Sequence, residues 1–335
     1  MPSKRYAVLL LILSRGFFAR GFAEQTTMTA AAPEIFAPGV ISGPANDGAP
    51  TFSPDGSTLY FARSGANWGF ILESHKVAGR WTEPEVASFS GQFSDSQPAL
   101  SPDGRRLIFV STRTMAAATA DGSAPKMVFG GSAVWEVDRL GSGWGEPFRL
   151  PDSINLSARV FKPTIAADGS LYFMAQTADA KTWRLYRSQY NNGTYQKAEA
   201  LSFSDGNHTD VDPAIAPDES FLIFSSAGRA KPEDTHEHLY IVFKEGAGWG
   251  AVVPLRYEDD YEKNPTDDGE ANLSPDRRSL FFTSGRVVHI HKDRTREQAA
   301  EDFKRLNLWD NSNSNVWSIS LAPWLDGVKP GLTTR

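Results

Sequence analysis

A phrase that recurs five times, each time just ahead of an apolar strand, leaves this chain few folds to choose from. The copies are Asp47-Gly-Ala-Pro-Thr-Phe-Ser-Pro-Asp-Gly56, Asp95-Ser-Gln-Pro-Ala-Leu-Ser-Pro-Asp-Gly104, Val160-Phe-Lys-Pro-Thr-Ile-Ala-Ala-Asp-Gly169, Asp210-Val-Asp-Pro-Ala-Ile-Ala-Pro-Asp-Glu219 and Asp268-Gly-Glu-Ala-Asn-Leu-Ser-Pro-Asp-Arg277. Their fourth residues fall at 50, 98, 163, 213 and 271, so the copies are spaced by 48, 65, 50 and 58 residues. A period of this size marks a repeat architecture in which one supersecondary unit is stacked on the next.

Each unit can be laid out as four strands. A short strand runs into Ser-Pro-Asp-Gly, whose Pro, Asp and Gly suit the backbone of a tight turn. The chain then returns through Leu59-Tyr-Phe61, Leu107-Ile-Phe109, Leu171-Tyr-Phe173, Leu222-Ile-Phe224 or Leu280-Phe-Phe282. A third strand follows at Trp135–Asp138, Trp183–Tyr186 and Leu239–Phe243, and a glycine hairpin leads to a fourth that opens near Trp81, Trp144 or Trp249. Four antiparallel strands at such a period predict the blades of a single all-β propeller. The last repeat has a third strand, Val316–Leu321, and no clear fourth. Glu34–Ser42 resembles the other fourth strands, so an N-terminal strand is expected to complete that blade and close the ring,. The expected organisation is a signal peptide over 1–23 (its cut reaching as far as about 30), a propeller over 33–324 and a tail over 325–335.

The phrase Asp-x-x-Pro-x-x-Ser-Pro-Asp-Gly-x-x-Leu-x-Phe resembles the WD40-like propeller repeat of the TolB-type family of bacterial envelope proteins. The similarity runs over roughly residues 33 to 321. It implies a propeller, periplasmic placement and protein binding. TolB itself carries an α/β domain ahead of its propeller, for which too few residues precede Asp47. The family's usual blade number is six, so a degraded sixth copy is an open alternative to five.

The meander places the Ser-Pro-Asp-Gly turns on one face of the ring and the starts of the inner strands on the other. Asp47, Asp95, Asp210 and Asp268 share that second face with Arg63, Arg113, Arg229 and Arg286. The third repeat lacks both partners, with Val160 in the aspartate's place. Joint presence and joint loss predict Asp–Arg ion pairs that brace neighbouring loops. The long insertions lie on the same face: Thr112–Gly131, Ala227–His236 and Gly285–Asn315. In the last, Thr295-Arg-Glu-Gln298 is a capping box ahead of Ala299, Ala300, Phe303 and Leu306 at helical spacing, which predicts one short helix over the ring mouth. Loops on a rigid scaffold are where binding usually resides. The candidate binding residues are Asp47, Asp95, Arg159, His208, Asp210, Asp212, Asp268 and Glu270, with Lys162 and Asp267 alongside. Trp68, Trp309 and Trp324 stand outside the repeat and could stack on sugars or pack beneath the inserts.

The 335 residues carry 34 Lys+Arg against 40 Asp+Glu, a net charge of −6 that offers nucleic acid no basic footprint,. With no cysteine, disulfides, thiol catalysis and thiolate metal sites are excluded,. Lys4 and Arg5 precede a short apolar run, Tyr6–Leu13, with small residues up to Ala23 or Ala30. That pattern suits an export leader and is too short to span a bilayer, so a periplasmic or secreted monomer is expected. No Gly-x-Ser-x-Gly elbow, zincin helix, phosphate loop or dinucleotide fingerprint occurs,. His236/His238 and His289/His291 alternate along strands without a third ligand, so no metal is expected there. Oxygen ligands at the acidic rim would suit calcium; otherwise no cofactor is implied. The favoured reading is a non-catalytic propeller that binds a protein or an envelope glycan on its elaborated face. The alternative is a polysaccharide hydrolase or lyase that works through Asp210, Asp212, Asp268 and Glu270.

Overall fold

In the computed structural model, the described residues are 29–66, 68–113, 132–179, 181–229, 231–257, 266–288 and 293–327. The leader, most of the 112–131 insertion, His289 and His291 lie outside them. Five antiparallel sheets follow one another around an axis. Their inner strands are Asn46–Phe52, Asp95–Leu100, Val160–Ile165, Thr209–Ile215 and Asp268–Leu273, and we number blades one to five in that order. The returning Leu-x-Phe strands pair with them, as Leu59 does with Phe52 and Leu107 with Leu100.

Closure works as the sequence implies. Glu34–Ile35 pairs antiparallel with Asn315–Ser320, setting Ile35 opposite Trp317, and so supplies the outer strand of blade five. Phe36 then packs among Phe52 and Trp81 of blade one and Phe281 of blade five. Ile41, just beyond, is completely buried in the same cluster. The ring is complete with five blades; the described residues contain no sixth.

The alternation of the strands explains where the core sits. Leu171 and Phe173 face blade two and pack with Ile108 and Val134, while Tyr172 between them faces blade four and packs with Leu222 and Phe224. Each blade is therefore covered on both faces, and apolar residues gather into one cluster per blade boundary,. The outer strands are broken where Pro84 and Pro147 fall, because proline has no N–H for the ladder,.

The turn face is built by five equal devices. Asp55, Asp103, Asp168, Asp218 and Asp276 each accept a hydrogen bond from the backbone N–H two residues on, at 2.8–3.1 Å,. On the opposite face the capping box forms as expected: Thr295 and Gln298 satisfy each other's backbone N–H, and a helix, α1, runs from Arg296 to Leu308. It does not bury an apolar stripe against the ring. Phe303 is 66% exposed and Leu306 50% exposed, and the anchor is Trp309 at the helix C-terminus. A second helix, α2 (Ala322–Gly327), buries Trp324 in the cluster between blades four and five. Trp68 remains 43% exposed.

Truncating the closing segment should unsettle the whole ring. Ile41→Ala is expected to lower the unfolding free energy by about 3 kcal/mol, read from the urea midpoint at unchanged slope. A midpoint equal to that of the parent protein would mean that residues 34–42 lie outside the cooperative unit.

Candidate functional site

The inner ends of the blades are tied by the aspartates and arginines that recur in the sequence. Arg63 meets Asp47 at 2.5 Å, Arg113 meets Asp95 at 2.5 Å, Arg229 meets Asp210 at 2.7 Å and Arg286 meets Asp268 at 2.5 Å. Each guanidinium also lies over the phenylalanine of its own Leu-x-Phe strand, 4.9–5.7 Å from the ring centroid,. It then reaches to the connector arriving from the preceding blade: Arg63 to the carbonyls of Val40 and Ile41, Arg113 to that of Phe89, Arg229 to that of Phe203 and Arg286 to the Tyr257 hydroxyl. The pair is thus a latch between consecutive blades. Burial pushes the carboxyls of Asp47, Asp95 and Asp268 up despite the neighbouring arginine. At the third boundary, the buried Val160 packs with Ile154 and Ala175 instead.

Nearer the axis, every inner strand carries a bulge at the same place. The third residue of each copy adopts a left-handed backbone there, ahead of proline in four copies and of Ala271 in the fifth: Ala49, Gln97, Lys162, Asp212 and Glu270, with φ between 48° and 54°. A proline is tolerated next because the bulged position has no ladder bond to lose. The bulge turns backbone N–H groups toward the preceding blade. The Lys162 N–H donates to Gln97 Oε1 (2.9 Å), the Glu270 N–H to Asp212 Oδ2 (2.7 Å) and the Ala49 N–H to Thr283 Oγ1 (3.1 Å). Gln97 Nε2 crosses to Glu270 Oε1 at 3.0 Å, and Lys162 Nζ donates to the Ala271 carbonyl at 3.1 Å. This layer links blade five to blades two, three and four. Lys162 is completely buried, and burial draws its ammonium down to about 8 while Asp212 and Glu270 oppose the shift. Burial first, and then the Glu270 charge, raise the Asp212 carboxyl to about 6.

Between the layer and solvent lies Glu237, at the start of the third strand of blade four. Burial, followed by the charges of Asp212, Asp267 and Glu270, raises its carboxyl to about 8. A Cβ at Gly269 would sit 2.7 Å from Asp212 Oδ2 and 3.4 Å from Glu237 Oε2, so only glycine leaves these two carboxylates their room. Glu237 also lines a cleft of about 800 Å³ on the elaborated face. Thr177, Lys181 and Arg184 of blade three and Pro232, Thr235 and Glu237 of blade four are among its lining, together with residues 205–209 of the connector between them.

The sequence-derived candidates distribute unevenly over this site. Asp47, Asp95, Asp210 and Asp268 are fully enclosed in the latches rather than set at a channel mouth. Asp212 and Glu270 meet in the axial layer, with Lys162 between them. His208 lines the cleft, and its carbonyl accepts from Thr182 at 2.9 Å. Arg159 is exposed on the connector into blade three, apart from the others. Asp267 accepts from the Glu237 N–H and lies 3.3 Å from the His236 ring, while His238 meets Asp234 at 2.8 Å. Among the described residues, no group of three or more His, Asp or Glu side chains has the arrangement of a metal site. Glu237 was not singled out in the sequence, since it belongs to no repeat.

Two variants separate charge from packing. Arg113→Met strands the Asp95 carboxylate and should lower stability by about 3–5 kcal/mol at pH 7. A carboxyl whose folded pKa is raised stabilises fully below its unfolded pKa and loses that contribution as pH rises through the folded value. The loss should therefore shrink at pH 4.5, and equal losses at both pH values would assign the effect to packing on Phe109. The same sign applies to Glu237: Glu237→Gln should match the parent's melting temperature at pH 5 and exceed it increasingly up to pH 8. Parallel melting curves across that range would remove the proton from Glu237.

No family model matches the chain, and no curated protein does. Among solved structures it is similar to the putative TolB from Agrobacterium tumefaciens, with 19% identity and a TM-score of 0.46 over 72% of this chain and 70% of that one. It is similar also to TolB from Acinetobacter baumannii, with 13% identity and a TM-score of 0.47 over 82% of this chain and 54% of that one, about half its length. The β-propeller domain of the trilobed protease from Pyrococcus furiosus shares 15% identity and a TM-score of 0.38 over 70% of this chain and 62% of that one. The TolB-type resemblance carried by the repeat phrase is met again in these structures as a likeness of propeller fold.

Proposed function

We propose that the protein is an exported propeller that holds a protein or cell-envelope partner on its elaborated face, without catalysing a reaction on it. The observation that carries this reading is the cleft between blades three and four, an open polar cavity of about 800 Å³ with exposed walls. Binding sites are commonly concavities of this size with a few convergent polar groups, on loops held by a rigid scaffold. A polysaccharide-cleaving role would need two accessible carboxyls at a set separation. It is less well supported, because Asp210 and Asp268 are enclosed in latches and Asp212 is 6% exposed with Oδ2 taken by the Glu270 N–H. No helix among the described residues is long and apolar enough to cross a membrane.

The test is photocrosslinking in the native envelope. A photoreactive residue at Asn207 or at Thr235, both exposed at the cleft, should yield an adduct of the same mass. One at Arg105, on the turn face, should yield none. Adducts formed equally from both faces, or from Arg105 alone, would overturn the assignment of the binding face.

A further inference from the structure

The cleft's charges are nearly all spoken for, and the exception indicates what could fill it. Lys181 lies 3.7 Å from Asp179, and Arg184 Nε donates to the Ser204 carbonyl at 2.5 Å. Asp205 accepts from both the backbone and the side chain of Asn207. Asp234 accepts from the His236 N–H and lies 2.8 Å from the His238 ring. No described residue donates a hydrogen bond to the carboxyl of Glu237, which is among the residues that line the cavity. The lining holds four carboxylates (Asp179, Asp205, Asp234 and Glu237) against the two cations Lys181 and Arg184.

We propose that this cleft receives a basic side chain, arginine or lysine, from a polypeptide partner, and that the Glu237 carboxylate is its anchor. The inference rests on the binding role proposed above and specifies the chemistry of the partner. Glu237 faces Asp212 from the inner strand of its own blade, and Glu270 and Asp267 from blade five. Lys162 of blade three faces Asp212 and Glu270 from the far side of the axis. His236 is engaged with Asp267, and His238 with Asp234. Three carboxylates thus confront Glu237, and the one cation in the layer is shared between two of them. A guanidinium entering from the cleft would supply the missing counter-charge with donors fixed in a fork that fits a carboxylate. The partner's cation would displace the proton that burial and like charges hold on Glu237 near neutrality, so binding releases a proton.

The experiment is titration calorimetry of the full chain with two capped tripeptides, Ala-Arg-Ala and the same peptide with neutral citrulline in the middle. The arginine peptide is used because its charge is constant across the pH range. It should bind at millimolar concentration, with affinity rising about tenfold from pH 7 to pH 9 and a proton released per peptide bound at pH 7. The citrulline peptide should not bind, and Glu237→Gln should lose both the affinity and the pH slope. Gln resembles the protonated acid in shape, and the proton count on the parent protein needs no variant at all. Equal binding of the two peptides, binding unchanged in Glu237→Gln, or no binding by either peptide would each overturn the proposal. If the arginine peptide fails while crosslinks at Asn207 and Thr235 persist, this inference falls and the binding face stands; if both fail, the binding reading falls with it.

Discussion

The ring depends on a buried ion pair whose value is geometric rather than energetic. Each latch removes an aspartate and most of an arginine from water, and the upward push on Asp47, Asp95 and Asp268 shows that desolvation outweighs the attraction of the partner,. What the pair supplies is direction. A guanidinium has enough donors to grip the carboxylate of its own blade and the connector of the preceding one together, while its flat face rests on phenylalanine,. The third boundary is the internal control. With Val160, Ile154 and Ala175 in the same place, the blades still dock. An apolar contact can therefore replace the pair at a boundary, but it leaves the connector's carbonyls to find other partners. There Asn155 donates to the Leu150 carbonyl of the connector and to the Val134 carbonyl of blade two, and accepts from the Val134 N–H.

The second constraint lies on the axis. Each of the five inner strands carries a bulge with one left-handed residue at the same place. Such a conformation costs a non-glycine residue of the order of 1 kcal/mol, and it persists here because cross-blade bonds fix it on both sides. The bulge has a chemical consequence. It brings Lys162, Asp212 and Glu270 into one layer, where Lys162 and Asp212 are buried and must settle their charges with little help from water,. Lys162 is the cation that faces Asp212 and Glu270, its ammonium bonded to the Ala271 carbonyl, and Glu237 is left as the surplus carboxyl.

Much of this was legible in the sequence, for identifiable reasons. Turn chemistry and strand alternation are local properties, so the phrase and the Leu-x-Phe strands located all five blades. The latches were legible because aspartate and arginine vanish together in the third repeat, a signal that a single sequence can carry. The axial layer was not. Lys162, Asp212 and Glu270 read as solvated groups at a channel mouth, because a bulge that turns them inward leaves no mark except the proline that follows Lys162 and Asp212, which also suits a plain turn, and Glu270 is followed by Ala271. Glu237 escaped notice because it lies just past the 227–236 insertion, where the third strand of blade four begins, and belongs to no copy of the phrase. The exposure of Phe303 and Leu306 ran against their helical spacing, since α1 is anchored at its end by the buried Trp309 rather than through its apolar side.

A ring of near-identical blades has no intrinsic place for a specific site, so specificity must arise where the repeats differ. The outer positions differ little, because turns, latches and boundary cores are reused almost unchanged. The axial layer differs completely, running alanine, glutamine, lysine, aspartate and glutamate around the five blades. Its charge is therefore concentrated in blades three to five. The cleft opens over the boundary between blades three and four, on that same side, and Glu237 belongs to both the cleft and the acidic surroundings of the layer. Any ligand that changes the ionisation of Glu237 acts on a network that already spans three blades, and any change in the layer is felt at the wall of the cleft.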